Sequence, residues 1–270
     1  MSRTARAVGI QRLYHYEPFN PDYLTDLVAN NRIHCSDLSA LNDPWDCRPW
    51  FDASALDDSK AIEELIQWFF SFTPTAPVSD AQIRATQSAI RTNPEYRRGI
   101  LERFSEDFLK MIPNRWRIYC LTPIPDSTLM WSHYGENHRG VCLEFSVDDP
   151  IFGFAQEVTY LSSYPQWAPH SLMSTDQPPV LLTKSDDWEY EREYRIIGPA
   201  EGVSRPVGLQ HPLMLSGNFL RLGKGALQAV IAGCEADHEK IRATVQGIDP
   251  SLMVKRAVRM RSKYRLEIVE

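Results

Sequence analysis

The sequence predicts a single α+β domain, on three observations. Apolar and polar residues alternate with period two at Leu13 to Glu17 and again from Trp116 onward. The stretch between them has helical spacing. The composition, 43% hydrophobic and 24% charged over 270 residues, is that of a globular chain that buries roughly 70–75% of its unfolded surface. The length allows one large domain or two small ones. With no internal repeat and no low-complexity tract, one domain spanning 1–270, with a mainly helical insertion at about 57–112, is the expectation.

In order along the chain, Leu13 to Glu17 reads as a strand. Asn20-Pro21-Asp22 is a helix start, followed by Tyr23, Leu24, Leu27 and Val28 at helical spacing. Arg32 to Cys35 reads as a second strand, and Asn42-Asp43-Pro44-Trp45-Asp46 punctuates an ordered loop over 36–51. Ile62, Leu65, Ile66, Phe69 and Phe70 share one face of a helix. A polar segment over 79–92 follows, and Asn93-Pro94 opens a further helix with Leu101, Phe104 and Phe108 as its buried stripe. Strands are then expected at 116–120, 140–145, 158–161, 194–197, 228–232 and 265–269, with a short helix at 237–245 and a surface loop at 162–179.

Charge and cysteine content narrow the function. With 29 basic and 35 acidic residues the net charge is −6, which argues against coating nucleic acid through bulk charge. No apolar run approaches the roughly 20 residues of a membrane span, and the first ten residues have no signal-peptide core, so the expectation is a cytoplasmic protein. Cys35, Cys47, Cys120, Cys142 and Cys234 include no Cys-x-x-Cys pair and read as small buried hydrophobes.

Three clusters hold the unusual residues: Tyr14-His15-Tyr16 with the Asn42 to Asp46 loop; Met130-Trp131-Ser132-His133-Tyr134 with His138-Arg139-Gly140; and Trp188 to Arg195. In a strand, Glu191, Glu193 and Arg195 would share a face, and a buried Glu193 needs a cationic partner, Arg195 or Arg139. His133 and His138 are five apart, which does not place two ligands on one helix face. A metal site completed by Asp43 or Asp46, and a thiol pair of Cys120 or Cys142 with His133, are weaker alternatives. His34, His170, His211 and His238 read as solvated or structurally bonded.

The motifs Asn-Asp-Pro-x-Asp (42–46), Met-Trp-x-x-Tyr-x-x-x-His-x-Gly (130–140) and Trp-x-x-Glu-x-Glu-x-Arg (188–195), with Leu13-Tyr14-His15-Tyr16, resemble a widespread bacterial domain-of-unknown-function family over about residues 12–200. More distantly, an opening Tyr-His strand, a central Tyr and a late Glu strand resemble ADP-ribosyltransferases of the His-Tyr-Glu kind, including the DNA-modifying transferases of toxin–antitoxin systems. That resemblance implies a split, twisted, mainly antiparallel sheet and NAD as substrate, without a metal. It makes Glu193 the catalytic carboxylate, with Glu191 as its register alternative. His15, Tyr14, Trp131, Tyr134, His133 and Arg139 would bind NAD, Tyr134 or Trp131 stacking on nicotinamide and Arg139 pairing with the diphosphate. It implies a nucleic-acid or protein acceptor, and an antitoxin partner in a defence setting. A non-catalytic binding or interaction module, and a metal-dependent phosphoester hydrolase using Asp43, Asp46, His133 and His138, are the competing expectations.

Overall fold

The computed structural model describes residues 3–51, 58–71, 78–167, 178–201 and 215–270. It is a mixed α+β structure with curled, mainly antiparallel sheets and several helices. His170, His211 and part of the expected 162–179 loop lie outside the described residues.

Strand β1 (Arg12–Glu17) leads into helix α1 (Pro21–Asn30), whose Asn20 side chain accepts from the backbone N–H groups of Asp22 and Tyr23. Asn31, left-handed at φ 52°, ends that helix and turns the chain into β2 (Arg32–His34) and β3 (Ser36–Asp37). The insertion holds three helices: α2 (Ser59–Ser71), α3 (Asp80–Thr92) and α4 (Pro94–Arg115). The polar 79–92 segment is therefore helical. Ser79 and Gln82 form a reciprocal capping box, and Ile90 is its one buried residue, so capping rather than an apolar stripe starts this helix.

After β4 (Trp116–Leu121) come the short helix α5 (Thr128–His133), β5 (Val141–Ser146), α6 (Pro150–Gly153), β6 (Gln156–Glu157), β7 (Thr159–Leu161) and β8 (Thr183–Ser185). A 3-10 turn over Asp186–Glu191 precedes β9 (Tyr194–Pro199). Next are β10 (Leu215–Ser216), β11 (Phe219–Arg221), β12 (Leu227–Ala232), α7 (His238–Gln246), β13 (Met253–Arg259) and β14 (Leu266–Val269). β13 answers to no sequence expectation. It runs parallel to β12, with α7 as the crossover between them.

Two sheets position the site. One has the order β1-β5-β12-β13-β14 and the other β3-β4-β9-β6. They are joined by an isolated bridge at Tyr14 and Thr122, which exchange backbone hydrogen bonds of 2.7 and 2.9 Å. Two further bonds cross from β1: His15 Nδ1–H donates to the Cys120 carbonyl at 2.7 Å, and Tyr16 O–H to the Ile124 carbonyl at 2.7 Å. The main core lies under the five-stranded sheet, where Leu24 and Leu27 of α1 and Ile241 and Val245 of α7 pack with Leu13, Leu143 and Val230. Among the described residues no helix is long and apolar enough to cross a membrane.

Candidate functional site at the seam between the sheets

The last turn before β9 does not continue the strand. Glu191 closes the 3-10 turn and Arg192 is left-handed at φ 47°, so the expectation that Glu191, Glu193 and Arg195 share one strand face fails. The three side chains meet nonetheless, because the turn swings Glu191 back over β8. There Lys184 Nζ lies 2.6 Å from Glu191 Oε2 and 3.1 Å from Glu193 Oε2.

Arg195 is the centre of this network and is fully buried. Its Nε donates to Glu193 Oε1 at 2.7 Å and its Nη2 to Glu193 Oε2 at 2.8 Å. Its two terminal nitrogens also donate to the two carboxylate oxygens of Asp46, at 2.9 and 2.5 Å, a bidentate fork. The Asn-Asp-Pro-x-Asp motif thereby acquires a physical role. Asp43 accepts the Trp45 N–H at 2.9 Å to form the turn, and the turn delivers Asp46 to Arg195. Asn42 reaches the other way and donates to the Tyr134 hydroxyl at 3.4 Å.

Tyr134 O–H donates to Glu191 Oε1 at 2.6 Å, which places the central tyrosine and the late carboxylate in direct contact. His15, Tyr14, Tyr134, Glu191, Glu193 and Lys184 line one cavity of about 80 Å³ at the seam. A second cavity of about 250 Å³ adjoins it through Lys184 and is lined by Asp43, Asp46, Trp45, Tyr164 and Trp167.

The electrostatics separate the two glutamates. Burial would raise the Glu193 carboxyl, but Arg195 and Lys184 together overcome it and hold the group at about 2. At Glu191 burial wins over Lys184 and the pKa is raised. Burial lowers His15 to about 4, so its ring is neutral, with the Nδ1 proton committed to Cys120 and Nε2 lying 3.8 Å from Glu17. Burial, then the Glu144 charge, pushes Tyr14 up to about 12. Lys184 stays charged: burial opposes its proton, but Glu193, Glu191 and Asp46 outweigh that and raise its pKa.

Three expected binding residues are elsewhere. Trp131 is wholly buried, its Nε1–H bonded to the Pro125 carbonyl and its ring set edge-on to Tyr16, so it is a core residue and no platform for a ligand. His133 is exposed on α5 beside Trp188 and lines neither cavity. Arg139 is exposed, and the cations that hold Glu193 are Arg195 and Lys184. The set needed for metal-assisted hydrolysis is not gathered either. Asp46 is tied to Arg195, and among the described residues no group of three His, Cys, Asp or Glu side chains is placed to hold a metal ion.

Sequence reasoning missed Lys184. Its signal was a cation two residues beyond the apolar run Val180-Leu181-Leu182, where burial demands a carboxylate partner.

Between α5 and β5, Glu136, Asn137 and His138 are all left-handed, at φ 51°, 52° and 68°. Such a run of non-glycine residues is strained and persists only where its surroundings hold it. Gly140 N–H donates to the Gly135 carbonyl at 2.8 Å and His138 N–H to the Trp131 carbonyl at 3.1 Å. A side chain on Gly140 would collide with the Glu17 carbonyl. Residues 130–166 match the model of a family described as a protein of unknown function, DUF2971. The matched segment carries the last four residues of α5, the left-handed turn and β5, so the similarity covers Tyr134 and stops short of Lys184 and the Glu191–Arg195 cluster. No curated protein and no solved structure matches the chain.

Proposed function

We propose that the seam cavity takes NAD and that the chain transfers its ADP-ribose to an acceptor, or to water, with Glu191 as the carboxylate acting at the ribose. One observation carries this reading. Among the described residues, the carboxylates of Asp46, Glu191 and Glu193 form ion pairs with Lys184 and Arg195, three acids to two cations, and both glutamates line the cavity with His15 and Tyr134. The nicotinamide ring of NAD is cationic, and breaking its bond to ribose C1′ develops positive charge on the sugar. A fixed negative charge in a buried site favours both.

Glu191 fits the role better than Glu193. Glu193 is clamped through both oxygens by Arg195 and Lys184 and serves as an anchor. Glu191 is held by two side chains, Lys184 and Tyr134, and its raised pKa suits it to receive the proton of an attacking hydroxyl. Tyr134 would stack on the ring and orient Glu191, and the neutral His15 would accept from a ribose or amide group. The 80 Å³ cavity holds only the nicotinamide end. With the neighbouring 250 Å³ cavity the space reaches the lower end of the roughly 300–1,000 Å³ usual for ligand sites, and Trp45 and Tyr164 would flank the rest of the molecule.

Free nicotinamide release from NAD, followed by chromatography, tests the proposal. The wild type should release it, and Glu191→Gln should reduce the rate roughly 100-fold. No release, together with no NAD binding by calorimetry, would overturn it.

A second reading rests on the 2.6 Å ion pair between Lys184 and Glu191, which neutralises the proposed catalytic group. In that reading the site binds a nucleotide without turning it over. Calorimetric binding of NAD with no nicotinamide released would select it.

A further inference from the structure

The C-terminal hairpin of β13 and β14 carries a charge pattern at odds with the rest of the chain. Residues 255–265 contain six cations and no acid, in a protein of net charge −6, and the hairpin's acid, Glu267, stands in β14 with Glu270 beyond it. Lys255 is tied to Glu144 at 2.7 Å, and Arg259 makes an exposed pair with Glu235 at 3.4 Å. Arg256, Arg261, Lys263 and Arg265 are exposed and form no ion pair with the described residues. At the tip of the hairpin, between Lys263 and Arg265, the ring of Tyr264 stands fully exposed.

From this surface we infer that the hairpin binds single-stranded nucleic acid. The cations would follow the phosphodiester backbone while Tyr264 stacks against a base. The inference does not depend on the NAD reading.

Two features favour a nucleic acid over an anionic membrane. Three of the four unpaired cations are arginine, whose planar fork matches phosphate oxygens in pairs. The exposed tip side chain is a tyrosine, a ring suited to stacking on a base, and no Trp, Phe, Leu or Ile accompanies it over 260–265 to enter a lipid phase. The parallel pairing of β13 with β12 anchors the base of the hairpin to the main sheet, and Arg261, Lys263 and Arg265 stand in the turn that joins β13 to β14.

The test uses the full chain and a fluorescein-labelled, mixed-sequence DNA oligonucleotide of about 20 nucleotides, long enough for one binding site, followed by anisotropy. Binding should weaken with salt. The slope of log affinity against log salt should be about −3, four cations each contributing roughly 0.7 on a single strand. The double variant Arg261→Glu/Lys263→Glu should weaken binding at least tenfold, and Tyr264→Ala about tenfold, since base stacking on one aromatic is commonly worth that much. These side chains are exposed, so both variants should keep the wild-type unfolding midpoint. Absence of binding at low salt, or binding indifferent to the charge reversal, would overturn the inference. So would sedimentation with phosphatidylserine vesicles without oligonucleotide binding.

Discussion

The seam between the sheets and the three-helix insertion are stabilised in opposite ways. At the seam, Asp46, Lys184, Glu191, Glu193 and Arg195 are buried together and hold one another by charge. In the insertion, Trp68, Phe104 and Phe108 pack ring against ring, with Phe51 against the last two. Its buried Arg97 donates to the carbonyls of Ile90 and Arg91, which close the C-terminal end of α3. An apolar core tolerates imperfect geometry. A buried ion network does not, because each charge lost leaves its partner without compensation. Such a network is weak grounds for stability and is a reason to look for function where it sits.

The sharpest way to break the comparison is Arg195→Met, which leaves Asp46 and Glu193 buried without their shared cation. A loss of about 3–5 kcal/mol is expected in urea denaturation, as for other buried pairs stripped of one partner. In the insertion, Leu101→Ala should cost about 3 kcal/mol through cavity formation, yet leave any NAD chemistry at the seam intact. Equal loss of activity in both variants would show that the two regions are not separable.

Acid and base act on the seam with opposite signs. Glu193, held at about 2 against an ordinary 4.5, contributes stability that is complete above about pH 4.5 and is lost as the pH falls toward 2. His15, lowered from 6.5 to about 4, likewise contributes above pH 6.5 and is lost as the pH falls to 4. Glu17 works the other way. Burial raises it from 4.5 to about 8, so its contribution is complete below pH 4.5 and disappears as the pH rises to 8. Urea midpoints for Glu17→Gln measured from pH 5 to 8 should therefore fall less steeply with pH than those of the wild type. Parallel curves would remove Glu17 from the account. The smallest effect is expected at the surface: Arg91→Ala removes the exposed Arg91–Glu63 pair between α2 and α3 and should not shift the unfolding midpoint measurably.

Much of the architecture was legible because it rests on local pattern. The Tyr-His strand, the Asn20 cap and the β4 and β5 strands are written in neighbouring residues and each formed where expected, although β5 is buried along its whole length instead of alternating. The site was legible in part. Tyr134, His15, Glu191 and Glu193 line one cavity, whereas Trp131 is core and Arg139 exposed. A helix of six residues decides that difference. On α5 the tryptophan faces the sheet, and Tyr134, the residue that caps its end, reaches Glu191. No spacing rule distinguishes those two orientations in so short an element.

The sequence by itself determined the α+β composition, the strand and helix periods and the residue types of the three unusual clusters, since each depends on side chains within a few positions of one another. Only the tertiary structure decided that Asp46 meets Arg195 across 149 positions, that Lys184 stands between two glutamates, and that Glu191 bonds Tyr134 while Glu193 bonds Arg195. Pairing of buried charges is set by which backbone segments the sheets bring within about 3 Å, and that proximity has no local signature.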